Sequence, residues 1–235
     1  MYKILVTGGA GYIGSHTITH LLQQGFDVVS IDNFSKSFPD VFKGITAITG
    51  KEVRNYTIDL RDLEATRSVF LQEGPIQGII HFAAFKSVGE SVAQPLAYYD
   101  NNITSLLHIL ACAKEFDVHD FVFSSSCSVY GNIAQLPVRE DTPLGHAECP
   151  YAATKQMGEQ ILRDVFKAHP GRMILLRYFN PVGAHPSALI GEHSADQPNN
   201  LVPVITRTAI GRQEKMFVWG TDYATRDGSC IRDYI

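Results

Sequence analysis

The chain has 235 residues, 45% of them apolar and 19% charged, with 24 acidic against 20 basic side chains and a net charge of −4. That balance suits one large α/β domain, or one domain with part of a second. It offers no global attraction to nucleic acid or an anionic membrane, so any phosphate must be held locally. The four cysteines form no C-x-x-C pair, which points to a reduced, cytoplasmic compartment rather than a disulfide scaffold. No apolar run reaches the length of a membrane span. The nine histidines show no zinc spacing, so no metal is expected.

Short apolar runs alternate with helical patterns along the chain, which predicts βαβ units and a parallel sheet. The expected strands are 3–7, 27–31, 53–58, 78–82, 120–124 and 172–177, with helices starting near Gly11, Asp62, Pro95 and Tyr151. Residues 97–116 read as one long helix packed on the sheet, with Leu106, Leu107, Ile109 and Leu110 in the core. Residues 179–200 are rich in Pro, Gly, His and Ser and read as irregular. A helix over 201–211 and a short strand over 216–219 follow. The chain stops at Ile235, directly after Arg232-Asp233-Tyr234, as if an element were being entered, so an incomplete final region is expected.

The first apolar run ends in Thr7-Gly8-Gly9-Ala10-Gly11-Tyr12-Ile13-Gly14, and the second ends at Asp32. A strand, a glycine turn and a helix N-terminus together make a pyrophosphate site. Exposed N–H groups and the helix dipole favour the anion there, and glycines admit the close approach. Asp32 is placed to accept hydrogen bonds from a ribose.

Tyr151 and Lys155 are four apart and share one helix face. In isolation they read as a core aromatic and a solvated lysine. After a glycine turn they read as an acid/base pair. A nearby ammonium and a nicotinium favour the phenolate, and a phenol so tuned takes a proton while hydride leaves the same carbon. Ser124-Ser125-Ser126 ends the fifth strand, where doubly wound sheets place ligands. A polar strand-to-loop transition is the ordinary alternative.

The glycine spacing Gly8-x-x-Gly11-x-x-Gly14 together with Tyr151-x-x-x-Lys155 resembles the short-chain dehydrogenase/reductase superfamily. Further stretches narrow the resemblance: 81–91 (HFAAFKSVGES), Tyr98-Tyr99-Asp100-Asn101-Asn102, Ser124-Ser125-Ser126-x-x-Val129-Tyr130-Gly131, 178–187 (YFNPVGAHPS, less Val182) and Pro198-Asn199-Asn200-Leu201. They are similar to the UDP-glucose/UDP-galactose 4-epimerases over nearly the whole chain.

This resemblance implies an α/β, Rossmann-like doubly wound parallel sheet over 1–177, with 178–235 starting a smaller, incomplete UDP-sugar-binding domain. It implies catalytic roles for Tyr151, Lys155 and Ser126. It places NAD against Gly8, Gly11, Tyr12, Ile13, Gly14, Asp32, Asn33, Asp59, Leu60, Phe82, Ala83, Ala84, Lys86, Asn101, Tyr151, Lys155 and Tyr178. It places the UDP-sugar against Lys86, Ser126, Tyr151, Asn180, Asn199, Asn200, Leu201, Phe217 and Arg232, the last because an arginine can pair with a diphosphate. Lys36 would attract an extra 2′-phosphate but Asp32 would repel it, so NAD is preferred to NADP. The implied activity belongs to galactose metabolism. It is NAD-dependent interconversion of UDP-glucose and UDP-galactose, by hydride abstraction and return at C4 through a 4-keto sugar. A cytoplasmic homodimer paired through helices 95–116 and 151–168 is implied as well. The related 4,6-dehydratases carry Asp and Glu where this chain has Cys127 and Ser128. Epimerisation of an N-acetylated or uronate UDP-sugar, a non-catalytic NAD-binding protein and a reductase with exchangeable NAD remain the competing readings.

Overall fold

Six β-branched or aromatic runs become six strands: β1 (Lys3–Thr7), β2 (Asp27–Ile31), β3 (Arg54–Tyr56), β4 (Gly78–His81), β5 (Asp120–Ser126) and β6 (Arg172–Tyr178). The computed structural model describes every residue except Met1, Gln135, Ser194, Asp196, Gln197, Pro198, Asn199 and Trp219. All pairings are parallel, in the order β3-β2-β1-β4-β5-β6. The order reverses between β1 and β4, where Thr7 sits opposite His81. A crevice outside the carboxyl ends of these strands is the natural ligand position.

Both sheet faces are apolar, as a parallel sheet with helices on each side requires. Side chains alternate along β1. Leu5 joins a core with Val29, Phe70, Ile79, Leu106, Ile109, Phe121, Phe123 and Leu162. Ile4 and Val6 face the other way and pack with Ile18, Leu22, Val28 and Ile45. The first core is closed by α3 (Leu63–Glu73), α6 (Ser105–Glu115) and α7 (Pro150–Ala168), the second by α1 (Tyr12–Gln23) and α2 (Val41–Thr49). The short helices α4 (Val88–Ala93) and α5 (Pro95–Tyr99) follow β4, and α8 (Leu201–Ala209) lies near the end of the chain.

The expected single helix over 97–116 is broken. A π turn, Asp100–Thr104, separates α5 from α6. Its cause is the buried Asn102 side chain, which bonds the Phe85 backbone and Thr154 rather than leaving the helix undisturbed. Leu107 is corrected too: it is 47% exposed. The buried stripe on α6 is Leu106, Ile109, Leu110 and Ala113, an i, i+3, i+4, i+7 series that leaves Leu107 on the flank. Residues 216–218 form no strand. The adjacent Leu106 and Leu107 therefore separate sharply: Leu106→Ala should cost about 2–5 kcal/mol and Leu107→Ala less than about 0.5 kcal/mol, read as urea midpoints. Equal losses would contradict the assigned helix face.

Candidate active site

The turn after β1 is built for close approach. Gly8 has φ +70°, and a Cβ there would stand 2.7 Å from the Ala83 nitrogen. A Cβ on Gly14 would collide with the Gly8 carbonyl oxygen. Helix α1 then begins at Tyr12 with Gly11 as its N-cap, no side-chain cap and no acidic residue in its first turn. The leading N–H groups of Tyr12, Ile13 and Gly14 are thus placed for an anion.

Asp32 follows β2 and braces this turn: its Oδ2 accepts the Ala10 N–H (2.9 Å), and its Oδ1 accepts the Phe34 N–H (2.9 Å) and the Ser37 hydroxyl (2.9 Å). Asn33 donates to Asp59 across 3.5 Å. Arg61 bonds Asp59 and Asp100, each at 2.7 Å, and holds the Asp59 carboxyl below its usual range. Leu60 is buried, with its carbonyl on His108 Nδ1 at 2.9 Å. Phe82, Ala83 and Ala84 leave the end of β4, and Asn101 lies in the π turn, donating to Asn102 Oδ1 (2.9 Å). All these groups sit at one end of the parallel sheet. A π turn among them is unsurprising, since such turns gather at functional sites.

The second cluster joins β5 to α7. Cys149 caps α7 by accepting the Ala152 N–H through Sγ (3.5 Å), which sets Tyr151 in the first turn. Lys155 is one turn on and 4% exposed. Its Nζ donates to the Ser124 carbonyl (2.7 Å), 5.0 Å from the Phe123 ring and 5.8 Å from the Tyr151 ring. Burial lowers its pKa to about 8. Below it His81 is buried against Thr7 Oγ1 (2.8 Å), and burial followed by the Lys155 charge pushes the imidazole to about 3.

Burial also raises the Tyr151 phenol above its ordinary value; hydrogen bonding from Ser126 pulls it back, and the Cys127 and Cys149 thiols add to the rise. The lowering expected from the lysine is not seen. The ammonium is committed to Ser124, and desolvation of the phenol dominates. Ser126 caps a 3₁₀ turn (Cys127–Tyr130), its Oγ accepting from Ser128 N (3.2 Å) and Ser128 Oγ (3.0 Å). Tyr178 lies opposite Ser126 in the sheet register.

The remaining positions form a looser group. Asn180 donates to the Asp233 carbonyl (2.7 Å), and its backbone pairs with Tyr234. This brings Arg232 near the 3₁₀ turn, where its charge offsets the burial that raises the Cys127 thiol. Lys86 and Asn200 meet through Glu192, which accepts from Lys86 Nζ (3.1 Å) and Asn200 Nδ2 (2.7 Å). Leu201 opens α8 and is 50% exposed. Phe217 is exposed, with the Lys215 ammonium 5.2 Å from its ring. Asn199 lies outside the described residues.

Sequence reasoning missed Glu192 and Asn102. Glu192 had one signal, being the only acid between Asp164 and Asp196. Asn102 had one too, its place in the stretch Tyr98-Tyr99-Asp100-Asn101-Asn102 that carries the resemblance.

A doubly wound sheet, an uncapped glycine-turn helix and a tyrosine–lysine helix at the end of β5 define the short-chain dehydrogenase/reductase class. A family model described as GDP-mannose 4,6 dehydratase matches residues 5–235. The UDP-glucose 4-epimerase of Bacillus subtilis is 50% identical over 233 residues, covering 99% of this chain and 68% of that protein. The crystal structure of UDP-glucose 4-epimerase from Bifidobacterium longum in complex with NAD+ and UDP superposes with a TM-score of 0.96 at 48% identity, over 99% of this chain and 70% of that one. The enzyme from Stenotrophomonas maltophila, solved with bound NAD and formylated UDP-arabinopyranose, gives 0.94 at 44% identity, over 100% of this chain and 70% of that one. The chain belongs to the UDP-glucose 4-epimerase family of isomerases.

The Lys155 pKa carries a stability consequence. The folded group binds its proton with a pKa of about 8 against an ordinary 10.5, so between those values the unfolded chain holds more protons. Stability then rises with pH across that window. The wild type should gain on Lys155→Met as pH climbs from about 8 to 10, measured by paired urea titrations. A pH-independent difference would show that Lys155 is not desolvated.

Proposed function

We propose that this chain interconverts UDP-glucose and UDP-galactose with NAD as a retained cofactor. The observation that carries this is the convergence of Tyr151, Ser126 and Lys155 at the carboxyl end of β5, in the sheet whose β1 end forms the glycine turn. The residues fit a dinucleotide: the helix N-terminus lacks a side-chain cap, and the turn has no room for side chains at Gly8 or Gly14. Gly8, Gly11, Tyr12, Ile13 and Gly14 would hold its pyrophosphate. Asp32 and Asn33 would meet its adenosine ribose, Asp59 and Leu60 its adenine. Phe82, Ala83, Ala84, Lys86, Asn101 and Tyr178 would complete the wall. Bound there, NAD would supply a hydride acceptor and donor for C4.

Tyr151 takes the proton of the sugar 4′-hydroxyl and later gives it back. Ser126 holds that hydroxyl. Lys155, largely protonated at neutral pH, supplies a fixed positive charge that favours the phenolate. Asn180, Asn199, Asn200, Leu201, Phe217 and Arg232 grip the nucleotide while the sugar stays free to present both faces of its 4-keto form. In this reading residues 1–177 serve the dinucleotide and residues 178–235 the UDP-sugar. Elimination of water is disfavoured, since Cys127 and Ser128 follow Ser126 where dehydratases carry carboxylic acids. The exposed Leu96 of α5, Leu107 of α6 and Met157 of α7 suit a homodimer in the cytoplasm.

Tyr151→Phe should retain NAD and lose about 10²–10⁴-fold in kcat, in a coupled UDP-galactose assay without added NAD. Undiminished turnover would remove Tyr151 from the chemistry. A parallel panel of N-acetylated and uronate UDP-sugars decides the sugar.

A further inference from the structure

Glu159 is fully buried on α7, one turn beyond Lys155. Arg177 of β6 grips it with two bonds, Nε to Oε1 (2.9 Å) and Nη2 to Oε2 (2.7 Å). The Ser125 hydroxyl donates to Oε1 (2.6 Å), and Arg163 reaches Oε2 at 3.4 Å. Arg177 Nη1 continues to the Tyr130 hydroxyl (2.9 Å) and the Glu140 carbonyl (3.2 Å), and Tyr130 donates to the Arg139 carbonyl (2.9 Å). Burial pushes the Glu159 carboxyl up, but the Arg177 and Ser125 bonds outweigh it and leave it below its ordinary range.

Three members of this network neighbour groups of the proposed chemistry. Ser125 precedes Ser126 and pairs with Arg177 in register. Tyr130 ends the turn that Ser126 caps. Glu159 follows Lys155 on the helix that begins at Tyr151. Stability alone gives little reason for such a pair, because apolar residues of similar volume often replace a buried ion pair without loss. A two-bond guanidinium–carboxylate fork does something packing does not: it fixes direction as well as distance.

We infer that the Glu159–Arg177 pair is a positioning device, locking α7 to β5 and β6 so that the Ser126 hydroxyl stays against the Tyr151 phenol. The inference rests on the epimerase reading, within which Glu159 and Arg177 touch neither sugar nor cofactor. Misplacing reacting groups by about 1 Å costs roughly 100-fold, so the loss should fall on kcat.

The test compares wild type with Glu159→Met/Arg177→Met, which replaces both charges by apolar groups, and with Arg177→Lys, which keeps the charge and loses the fork. Melting temperature, bound NAD, kcat and KM for UDP-galactose are measured on each. The expected result is a double variant that melts near wild type and keeps its NAD. Its kcat should fall by about 10–100-fold, with KM within about threefold, and Arg177→Lys should not rescue it. A folded, NAD-loaded variant with kcat within about twofold of wild type would overturn the inference. If the double variant does not fold, Arg177→Lys decides by the same readout. If the wild type itself fails to turn over UDP-galactose, the functional reading falls separately. A crystal structure of Arg177→Lys then decides: a Ser126 hydroxyl moved from the Tyr151 phenol supports the positioning role, and an unmoved one overturns it.

Discussion

The Lys155 ammonium donates to the Ser124 carbonyl across 2.7 Å, in a place nearly closed to water. That contact ties the first turns of α7 to the end of β5, and the positions of Tyr151 and Ser126 follow from it. A buried cation is costly unless bonded, and here the cost appears as a lowered proton affinity rather than as expulsion of the side chain. One turn further, the same helix buries an anion, Glu159. A helix chosen only for stability would be apolar along this face. The proposed reaction gives the charges retained there a use that packing does not.

Much of the fold was legible because its signals are local. Apolar runs bounded by turn residues placed all six strands, with β3 shorter than expected and β5 extended through Ser126. The glycine turn was legible because few residues tolerate φ near +70° with a neighbouring backbone pressed against them. The Tyr151–Lys155 pair was legible from spacing plus chain order. The rest depends on contacts between distant residues. Asn102 makes the π turn by reaching Phe85 and Thr154, which are 17 and 52 residues away. Glu159 and Arg177 are 18 apart. Glu192 sits in a stretch with no periodicity at all. Burial raises the Tyr151 phenol, and burial is a property of the assembled molecule, whereas nearby charge can be guessed from sequence.

The two sides of the site differ in how they are held. Asp32 is fixed by the Ala10 N–H, Asn102 by the Phe85 backbone, Lys155 by the Ser124 carbonyl and Ser126 by the Ser128 N–H. Asn180, Lys86 and Asn200 are fixed by loop carbonyls and by one carboxylate, Glu192. In the proposed reaction the first set serves the dinucleotide and the acid/base pair, and Asn180 and Asn200 hold the nucleotide of the substrate.

In the proposed reaction the hydrogen on C4 leaves as hydride and the same hydrogen returns. Conversion of UDP-galactose carrying deuterium at C4, followed by NMR of the UDP-glucose formed, tests it most directly. Deuterium retained at C4, with none of the solvent's protons entering there, is the expected result. Washout of the label into water would contradict it.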